Sequence, residues 1–370
     1  TDAWNMCFLK HTPKNMKKTP ITLSLLATLF IAATANGATS QWNGNSGTDN
    51  NWGTDANWSA VPGSGDNVNF RGKTGGAQDA TAQLSSAKTV VNLTMGGAGA
   101  TSTKEIPTLT INSGGSLAVT GNAQVGYSLV SDSSAATAKF NVNSGTNTFA
   151  NVFNIASAAG TSAYATSGEV TVSGADTTVT LAGVGKIATR GGSATGATTG
   201  TLTLNGGNFN STKTGVAFTV GDYGNGTLTL NGGNADFVGS MKVADKAGST
   251  GLIQLLDGNL DVTTITFGAG DKSMILGEGY LTMTQDRTNL IDGWIADNIV
   301  SAVGGMTDDS TFSSVYTSDL TEVALDGFTV KYGYDGSGET ALWVAIPEPR
   351  AYSMIAGITG LVFVMVRRRR

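Results

Sequence analysis

The chain has 370 residues, of which 40% are hydrophobic, 13% are charged, 51 are glycine and 6 are proline. This low charge and substantial hydrophobicity exclude a disordered chain, and the lack of a Gly-X-Y period excludes collagen. The only histidine, His11, and the only cysteine, Cys7, precede Met16, where we expect the translated chain to begin. Without them, a Ser-His-Asp triad, a cysteine nucleophile, a zinc site of His or Cys ligands and a disulfide are excluded. We expect no cofactor and no metal site, and calcium bound by carboxylates is an alternative considered below.

The N-terminus is predicted to be an export signal. We expect residues 1–15 to be an upstream extension of the gene prediction and residues 16–37 to be a signal peptide. Two lysines follow Met16, an apolar stretch runs over 21–33, and small residues suited to cleavage occupy 33–35, which is the layout of a secretory signal. The stretch is short for a membrane span. A buried amphipathic helix is the alternative.

A tryptophan-rich segment at 38–80 is predicted to be the N-terminal cap of the fold. It contains Trp42, Trp52 and Trp58. Such rings either close the open end of a stacked fold or stand on the surface as a platform for sugar rings. The three tryptophans are therefore candidate glycan contacts, with end closure as the alternative.

Repeated segments occupy residues 81–285. The nine residues Gly200–Asn208 recur unchanged at Gly226–Asn234. These two segments and four weaker copies place an apolar residue at the same point of the repeat, at Leu109, Phe140, Val170, Leu202, Leu228 and Ile253. One such strand cannot bury its apolar side alone, whereas coils stacked about 4.8 Å apart build a continuous core. The pattern predicts an all-β fold, a parallel β-helix, with a β-sandwich as the alternative.

A second strand recurs between these copies, and its central pairs are Val125-Gly126, Ile155-Ala156, Ile187-Ala188, Val220-Gly221, Val243-Ala244 and Phe267-Gly268. The connection that follows, as in Ser157–Gly168 and Thr189–Gly200, carries most of the length variation, which is typical of a solenoid with insertions on one face. Asparagines share one turn position of the repeat and are expected to form a hydrogen-bonded ladder; they are Asn112, Asn143, Asn205 and Asn231.

Two acidic segments are candidates for calcium binding. They are 257–261 and 308–309, and carboxylate oxygens are the ligands that Ca²⁺ prefers. Neither segment has the spacing of an EF-hand loop or of a glycine-rich calcium repeat. Ordinary turn formation by Asp and Asn is the alternative.

Two further acids are candidates for polysaccharide cleavage. Asp222 and Asp245 follow the second strand at equivalent points of neighbouring coils, so we expect them to lie side by side. Paired carboxylates can cleave glycosidic bonds, and Lys186 and Arg190 are close in the repeat. Solvated surface charge is the alternative interpretation.

Residues 286–346 are predicted to form a C-terminal cap. Apolar residues at helical spacing predict a short amphipathic helix; they are Leu290, Ile291, Trp294, Ile295, Ile299 and Val300. Two strands are predicted at 328–334 and 339–345 from their alternating apolar residues.

The C-terminal segment 347–370 reads as a sorting signal. Pro347, Glu348 and Pro349 precede an apolar run that predicts a hydrophobic helix over 351–366, and the chain ends in Arg367, Arg368, Arg369 and Arg370. This order resembles the PEP-CTERM signals of Gram-negative bacteria, although Arg350 stands where many members have Ser or Thr. The resemblance implies an exosortase, a membrane cysteine peptidase, as a partner. A plain membrane anchor is the alternative, and the arginines are expected on the cytoplasmic side.

The tryptophan-rich opening before the repeats is similar to exported bacterial β-helix proteins with autotransporter-type strand repeats. Between Ala38 and Ile346 there are 13 Lys and Arg against 25 Asp and Glu, a net charge of −12, which repels nucleic acid. We therefore expect an exported structural or adhesive protein of the cell envelope or extracellular matrix, without enzymatic activity. Its expected contact with the membrane is through the C-terminal segment alone, and extracellular polysaccharide is a candidate partner. The alternative is a polysaccharide-binding or polysaccharide-cleaving β-helix protein.

Overall fold

The computed structural model describes residues 37–43, 49–72, 81–98, 106–128, 135–191 and 194–346, which lie within one compact unit. The fold is all-β, a parallel solenoid of about eight turns. The predicted parallel β-helix is thus confirmed, and the β-sandwich alternative is wrong because successive coils pair in parallel and in register. The hydrophobic helix predicted over 351–366 lies outside the described residues. Within them, no helix has the length and apolar character needed to cross a membrane.

The strands of the first half are, in chain order, β1 (Thr39–Gln41), β2 (Asn67–Gly72), β3 (Thr81–Leu84), β4 (Ala87–Val90), β5 (Asn92–Ala98), β6 (Thr108–Ile111), β7 (Ser116–Val119), β8 (Ala123–Ser128), β9 (Ala136–Val142), β10 (Thr146–Phe149), β11 (Val152–Ala158), β12 (Thr166–Val172) and β13 (Thr178–Leu181). Those of the second half are β14 (Val184–Arg190), β15 (Thr198–Leu204), β16 (Asn208–Ser211), β17 (Phe218–Val220), β18 (Asn225–Val243), β19 (Thr250–Phe267), β20 (Asp271–Leu276), β21 (Tyr280–Thr284), β22 (Val300–Ala302), β23 (Ser318–Leu325), β24 (Phe328–Tyr334) and β25 (Glu339–Ala345). The helices are α1 (Thr288–Ala296), α2 (Ser310–Val315) and a 3-10 turn at Asp55–Asn57.

Each turn of the solenoid adds one strand to each of three parallel ladders. The first face stacks β3, β6, β9, β12 and β15. The second face stacks β4, β7, β10, β13 and β16. The third face stacks β1, β2, β5, β8, β11, β14 and β17. The long strands β18 and β19 run across all three faces and pair with each other along most of their length.

The core lies inside these three faces because side chains alternate along each strand. In β15, Leu202 and Leu204 are fully buried while Thr201 and Thr203 are half-buried on the outer side. Leu202 lies opposite Leu228 of the next turn. Burying each leucine stabilises the fold by about 1.5–3 kcal/mol, and the predicted inward positions are confirmed.

A column of glycines on the first face lies close against the backbone of third-face strands. Gly200 lies in register with Gly168 and Gly226 on neighbouring turns. A Cβ added at Gly200 would lie 2.6 Å from the carbonyl oxygen of Ile155 and 2.9 Å from the backbone nitrogen of Ala188. Any larger residue at Gly200 would therefore push these backbone atoms away. Glycine is required here because of the close packing and not because of an unusual φ angle.

In the third-face strands that face this glycine column, one residue of each turn has a left-handed backbone conformation. Ala156 and Ala188 both have φ of 57°, and Gly126 and Gly221 occupy the same point with φ of 73° and 76°. These are the second members of the recurring pairs in the sequence, such as Ile187-Ala188. Each therefore marks a bend in a third-face strand, beyond which β11 pairs again with β8 and β14, and alanine there carries strain on the order of 1 kcal/mol.

At the C-terminal end, the second face continues as an antiparallel sheet. Strand β21 pairs with β25, β25 with β24, and β24 with β23. The two strands predicted from the sequence, Phe328–Tyr334 and Glu339–Ala345, are confirmed at the same bounds.

Helix α1 packs against the end of the core. Ile291 is fully buried and the Trp294 ring meets Phe267 edge-on at 5.2 Å between centroids. The predicted helix is confirmed in its first part, but it ends at Ala296, so Ile299 lies beyond it. Leu290, expected on the apolar side, is 38% exposed.

Candidate functional site

The three candidate glycan contacts lie inside the first turns. Trp42, Trp52 and Trp58 are 4%, 0% and 5% exposed. The Trp58 ring lies 5.0 Å from Trp42 and 4.8 Å from Trp52 between centroids, and all three contact Phe70. The Trp58 Nε1–H donates to the Trp52 carbonyl oxygen at 2.7 Å. A sugar-stacking platform needs exposed ring faces, whereas in this arrangement the rings pack into the core of the first turns.

The residues of the predicted sorting signal, Pro347, Glu348, Pro349 and Arg367 to Arg370, lie outside the described residues, as does the predicted signal peptide up to residue 36. Their roles stay predictions from the sequence.

Asp222, a candidate catalytic residue for polysaccharide cleavage, is buried and forms an ion pair with Lys186. It is 3% exposed, and its Oδ2 lies 2.8 Å from Lys186 Nζ and accepts a hydrogen bond from Thr189 Oγ1 at 2.7 Å. The Arg190 guanidinium lies over the Tyr223 ring instead, 5.5 Å from its centroid. Since Lys186 belongs to the preceding turn, this contact ties two turns together.

Asp245 occupies the equivalent point of the next turn, as expected, and it is also paired. Its carboxylate lies 3.4 Å from Lys242 Nζ and 3.1 Å from Lys246 Nζ. Burial alone would raise the pKa of Asp245, but the hydrogen bond to Lys246 and the charges of both lysines outweigh it and lower the pKa. The Asp245 carboxyl is therefore ionised at neutral pH and does not suit a general acid. Asp222 and Asp245 each form ion pairs with lysines instead.

In the two acidic segments considered for calcium, Asp257, Asp308 and Asp309 form hydrogen bonds within the protein, and Asp261 lies further along β19. Asp257 Oδ1 accepts a hydrogen bond from the next backbone N–H at 2.7 Å, and Asp308 Oδ1 accepts one from the Ser310 N–H at 3.0 Å. Asp309 Oδ2 accepts a hydrogen bond from Trp343 Nε1 at 3.1 Å. In the part of the chain that the structure describes, no cluster of three or more His, Cys, Asp or Glu side chains could hold a metal ion.

Asparagines form a hydrogen-bonded ladder on the third face, at positions different from those predicted from the sequence. Asn92 Nδ2 donates to Asn67 Oδ1 at 2.6 Å, the Asn122 N–H donates to Asn92 Oδ1 at 2.7 Å, and Asn151 Nδ2 donates to Asn122 Oδ1 at 2.9 Å. The ladder spans four turns and fixes the orientation of these amides.

Of the ladder predicted at the turn position, one rung is present and it is long. Asn231 Nδ2 reaches Asn205 Oδ1 at 3.5 Å, the long limit of a hydrogen bond. Asn112 Nδ2 donates to Gln83 Oε1 at 3.3 Å rather than to another asparagine. Glycines with positive φ follow Asn205 and Asn231 and turn the backbone at this corner.

An open groove of about 290 Å³ lies beside the short ladder, and we call it the asparagine groove; its lining residues are Thr39, Asn67, Asn69, Asn92, Thr94, Asn122 and Gln124. Asn69, Thr94 and Gln124 are in register on successive turns. Across the described residues, the side chains of these three have no hydrogen-bond partner. The next residue of the row is Asn154, whose buried Oδ1 also has none.

A four-residue pattern in the sequence corresponds to the asparagine groove. Each of its turns carries asparagine, an apolar residue, a polar residue and an apolar residue, as in Asn67–Phe70, Asn92–Met95 and Asn122–Val125. The apolar members face the core, so the polar members necessarily form two outward columns.

A second concavity, of about 350 Å³, lies where the last turns meet the C-terminal strands, and we call it the C-terminal cleft; it is lined by Asn259, Asp261, Tyr280, Thr282, Thr311, Phe312, Val315, Tyr316 and Glu339. The Tyr316 hydroxyl donates to Glu339 Oε1 at 2.5 Å. The Tyr280 and Phe312 rings meet edge-on at 4.6 Å between centroids. Asn259 Oδ1 is buried without a hydrogen-bond partner.

Negative charge is concentrated in this cleft. Burial raises the pKa of Asp261, and the nearby carboxylates of Asp236 and Glu339 raise it further. Burial also raises the pKa of Tyr280, and the negative charges of Glu339 and Asp261 raise it further. Like charges held together at a partly desolvated point cost stability, which is typical of sites kept for binding.

No protein-family model, curated protein or solved structure matches this chain. The asparagine groove and the C-terminal cleft differ in chemistry, since the first is lined by neutral polar groups and the second by carboxylates and aromatic rings. They are therefore suited to different ligands.

Proposed function

We propose that the protein is an exported structural or adhesive protein of the cell envelope or extracellular matrix, and that its first turns bind a neutral polysaccharide along the asparagine groove. The observation that carries this proposal is the row of unpartnered amide and hydroxyl groups at Asn69, Thr94 and Gln124, repeated on successive turns.

The chemistry of the row suits a sugar polymer. An amide side chain offers both donors and acceptors, and so does a sugar hydroxyl. Because turns repeat about every 4.8 Å, a polymer lying across them meets a similar pair of polar groups at each turn. Each hydrogen bond contributes only about 0.5–1.5 kcal/mol, so several turns must act together. The ladder through Asn92 holds its side of the groove in place before binding, which reduces the entropy cost.

Binding rather than cleavage is favoured by the state of the acids. The carboxylates of Asp222 and Asp245, the candidates for hydrolysis, are held by lysines. The described residues that line the asparagine groove have neutral side chains, which suit a neutral glycan and include no acid or base that could cleave it.

Export is proposed from the sequence. The signal-peptide pattern at 16–37 and the Pro347–Pro349 motif with its arginine tail resemble the two ends of a sorted envelope protein. Mass spectrometry of the protein from envelope and extracellular fractions of its own cells tests this. A C-terminus near Pro349 supports processing by an exosortase, and an intact Arg370 in every fraction contradicts it.

Affinity electrophoresis of the full-length exported protein tests the binding proposal. Gels contain dextran, hydroxyethyl cellulose or the neutral polysaccharide extracted from the producing cells, with alginate as an acidic comparison. We expect at least one neutral polymer to retard the protein and the double variant Asn69→Ala/Gln124→Ala to abolish the retardation. The matched control is Asn205→Ala/Asn231→Ala, which removes two exposed asparagines from another edge and should not change mobility. The absence of retardation by every neutral polymer, or equal loss in the control, contradicts the proposal.

A further inference from the structure

We propose that the C-terminal cleft binds a small organic ammonium ion, a ligand with a protonated primary amine, between the Asp261 and Glu339 carboxylates and the Tyr280–Phe312 aromatic wall. This inference concerns another site and another ligand, and it does not depend on polysaccharide binding in the asparagine groove.

The charge of the cleft is the first argument. Asp261 and Glu339 line it, and among its described lining residues none is basic. The nearby ammonium of Lys331 is already engaged, at 2.9 Å from Asp309 Oδ2 and 3.2 Å from Glu322 Oε1. A cationic ligand therefore finds two carboxylates that no lysine in the described part of the chain neutralises.

The hydrogen-bond acceptors are the second argument. An ammonium group has three N–H donors and no acceptor. Asn259 Oδ1 is a buried acceptor without a partner, which in a native structure calls for an explanation such as a bound group. Glu339 uses Oε1 to accept from Tyr316, and its Oε2 accepts nothing from the described residues. Together with Asp261 these provide an oxygen for each ammonium hydrogen.

The aromatic wall is the third argument. The rings of Tyr280 and Phe312 line the cleft and are 4.6 Å apart between centroids. Phe312 is held from behind by Trp343 at 5.5 Å. Aromatic faces attract an ammonium ion and its adjacent C–H groups, whereas a divalent metal such as Ca²⁺ takes six to eight oxygen ligands. The mixed lining therefore favours an organic cation over a metal ion.

The size of the cleft restricts the ligand to about one ring. Its 350 Å³ is near the lower end of ordinary small-ligand sites. An amino-sugar unit and a short alkyl amine both fit this description, and they share the protonated amine. The experiment distinguishes between these two sources.

Isothermal titration of the full-length exported protein at neutral pH tests the inference. The probes are glucosamine, N-acetylglucosamine, 1,4-diaminobutane and CaCl₂. Binding of glucosamine and 1,4-diaminobutane supports an amine site, and binding of glucosamine alone among the amines adds recognition of the sugar ring. N-acetylglucosamine, which has the same ring without the charge, should not bind. Equal binding of both sugars, binding of Ca²⁺ alone, binding of none, or binding of 1,4-diaminobutane that Asp261→Asn leaves unchanged overturns the inference.

Variants locate the binding. Asp261→Asn keeps the shape and removes the charge, and we expect affinity for the amine to fall about tenfold or more. Asp308→Asn is the control, because Asp308 is an exposed acid of the same region outside the cleft. Phe312→Leu should also weaken binding, and thermal unfolding verifies that each variant is folded. The groove variant Asn69→Ala/Gln124→Ala should bind the amine unchanged, so a failure of one proposal is distinguishable from a failure of the other.

Discussion

Replacing Gly200 by alanine tests whether the solenoid depends on close approach of backbone at the glycine column. The new Cβ would lie 2.6 Å from the Ile155 carbonyl oxygen, 2.7 Å from Ile187 Cγ2 and 2.9 Å from the Ala188 nitrogen. Two of these three atoms are backbone held in the parallel ladder, so the contacts cannot be relieved by a side-chain rotation. Overpacking of this kind costs about 1–3 kcal/mol. We expect the upper end, because Gly168 and Gly226 fix the strand on both sides.

The matched control is the same substitution at Gly293. This residue lies inside helix α1, and a Cβ there would have no heavy atom within 4 Å beyond its own helix and chain neighbours. Alanine in a helix interior is more stable than glycine by about 0.5–1 kcal/mol, so the sign of the effect should reverse. Urea unfolding followed by far-UV circular dichroism measures both variants. A Gly200→Ala midpoint equal to that of the unmodified protein would refute the close-approach argument.

Three other perturbations have expected outcomes. Phe209→Ala empties a core position between aromatic rings and should lower the urea-unfolding free energy by about 3–5 kcal/mol, whereas Val238→Ala at a site 49% exposed should change it by less than about 0.5 kcal/mol. Asn92→Ala removes two ladder bonds and should cost about 1–3 kcal/mol in the same assay, so no change would show the ladder to be energetically neutral. Burial and its hydrogen bond to Asp292 raise the pKa of Tyr332 from 10.0 to about 12. The stability that this residue provides is therefore present below pH 10 and lost as the pH rises towards 12. The melting-temperature difference from Tyr332→Phe should shrink over that interval, and a constant difference would contradict the assignment.

The repeat and its inward positions were predictable because they depend on local alternation. Leu202 and Leu228 are buried as the period-two pattern requires, and the identical nonamers around them pair in register. The length of each turn does not disturb this, because insertions lie in the connections.

The asparagine ladder of the third face was not predicted from the sequence, because side-chain contact between turns depends on the backbone direction at each corner. Asn205 and Asn231 share a sequence position, yet glycines with positive φ follow them and their amides meet only at 3.5 Å. Asn67 and Asn92 instead lie at strand starts, where the parallel pairing brings their amides to 2.6 Å. Sequence spacing alone does not distinguish these two situations.

The position of the tryptophans could not be decided from the sequence, because a capping ring and an exposed ring have the same composition around them. Burial follows from the contact of Trp52 with Phe70 and with Trp58. The sequence singled out Asp261 within the acidic segment 257–261, but it did not indicate the C-terminal cleft, since Asp261 and Glu339 are far apart in the chain. They are brought together through β21, which pairs in parallel with β19, the strand of Asp261, and in antiparallel with β25, the strand of Glu339.

Hydrogen–deuterium exchange of the full-length exported protein, with and without the neutral polysaccharide that retards it, tests the central claim most directly. Peptides that cover 67–70, 92–95 and 122–125 should exchange more slowly when the polymer is present, because a bound polymer shields the edge of these turns. Protection should be absent at 208–211, on the second face. Unchanged exchange in the three groove segments, or protection confined to the second face, would contradict binding in the asparagine groove.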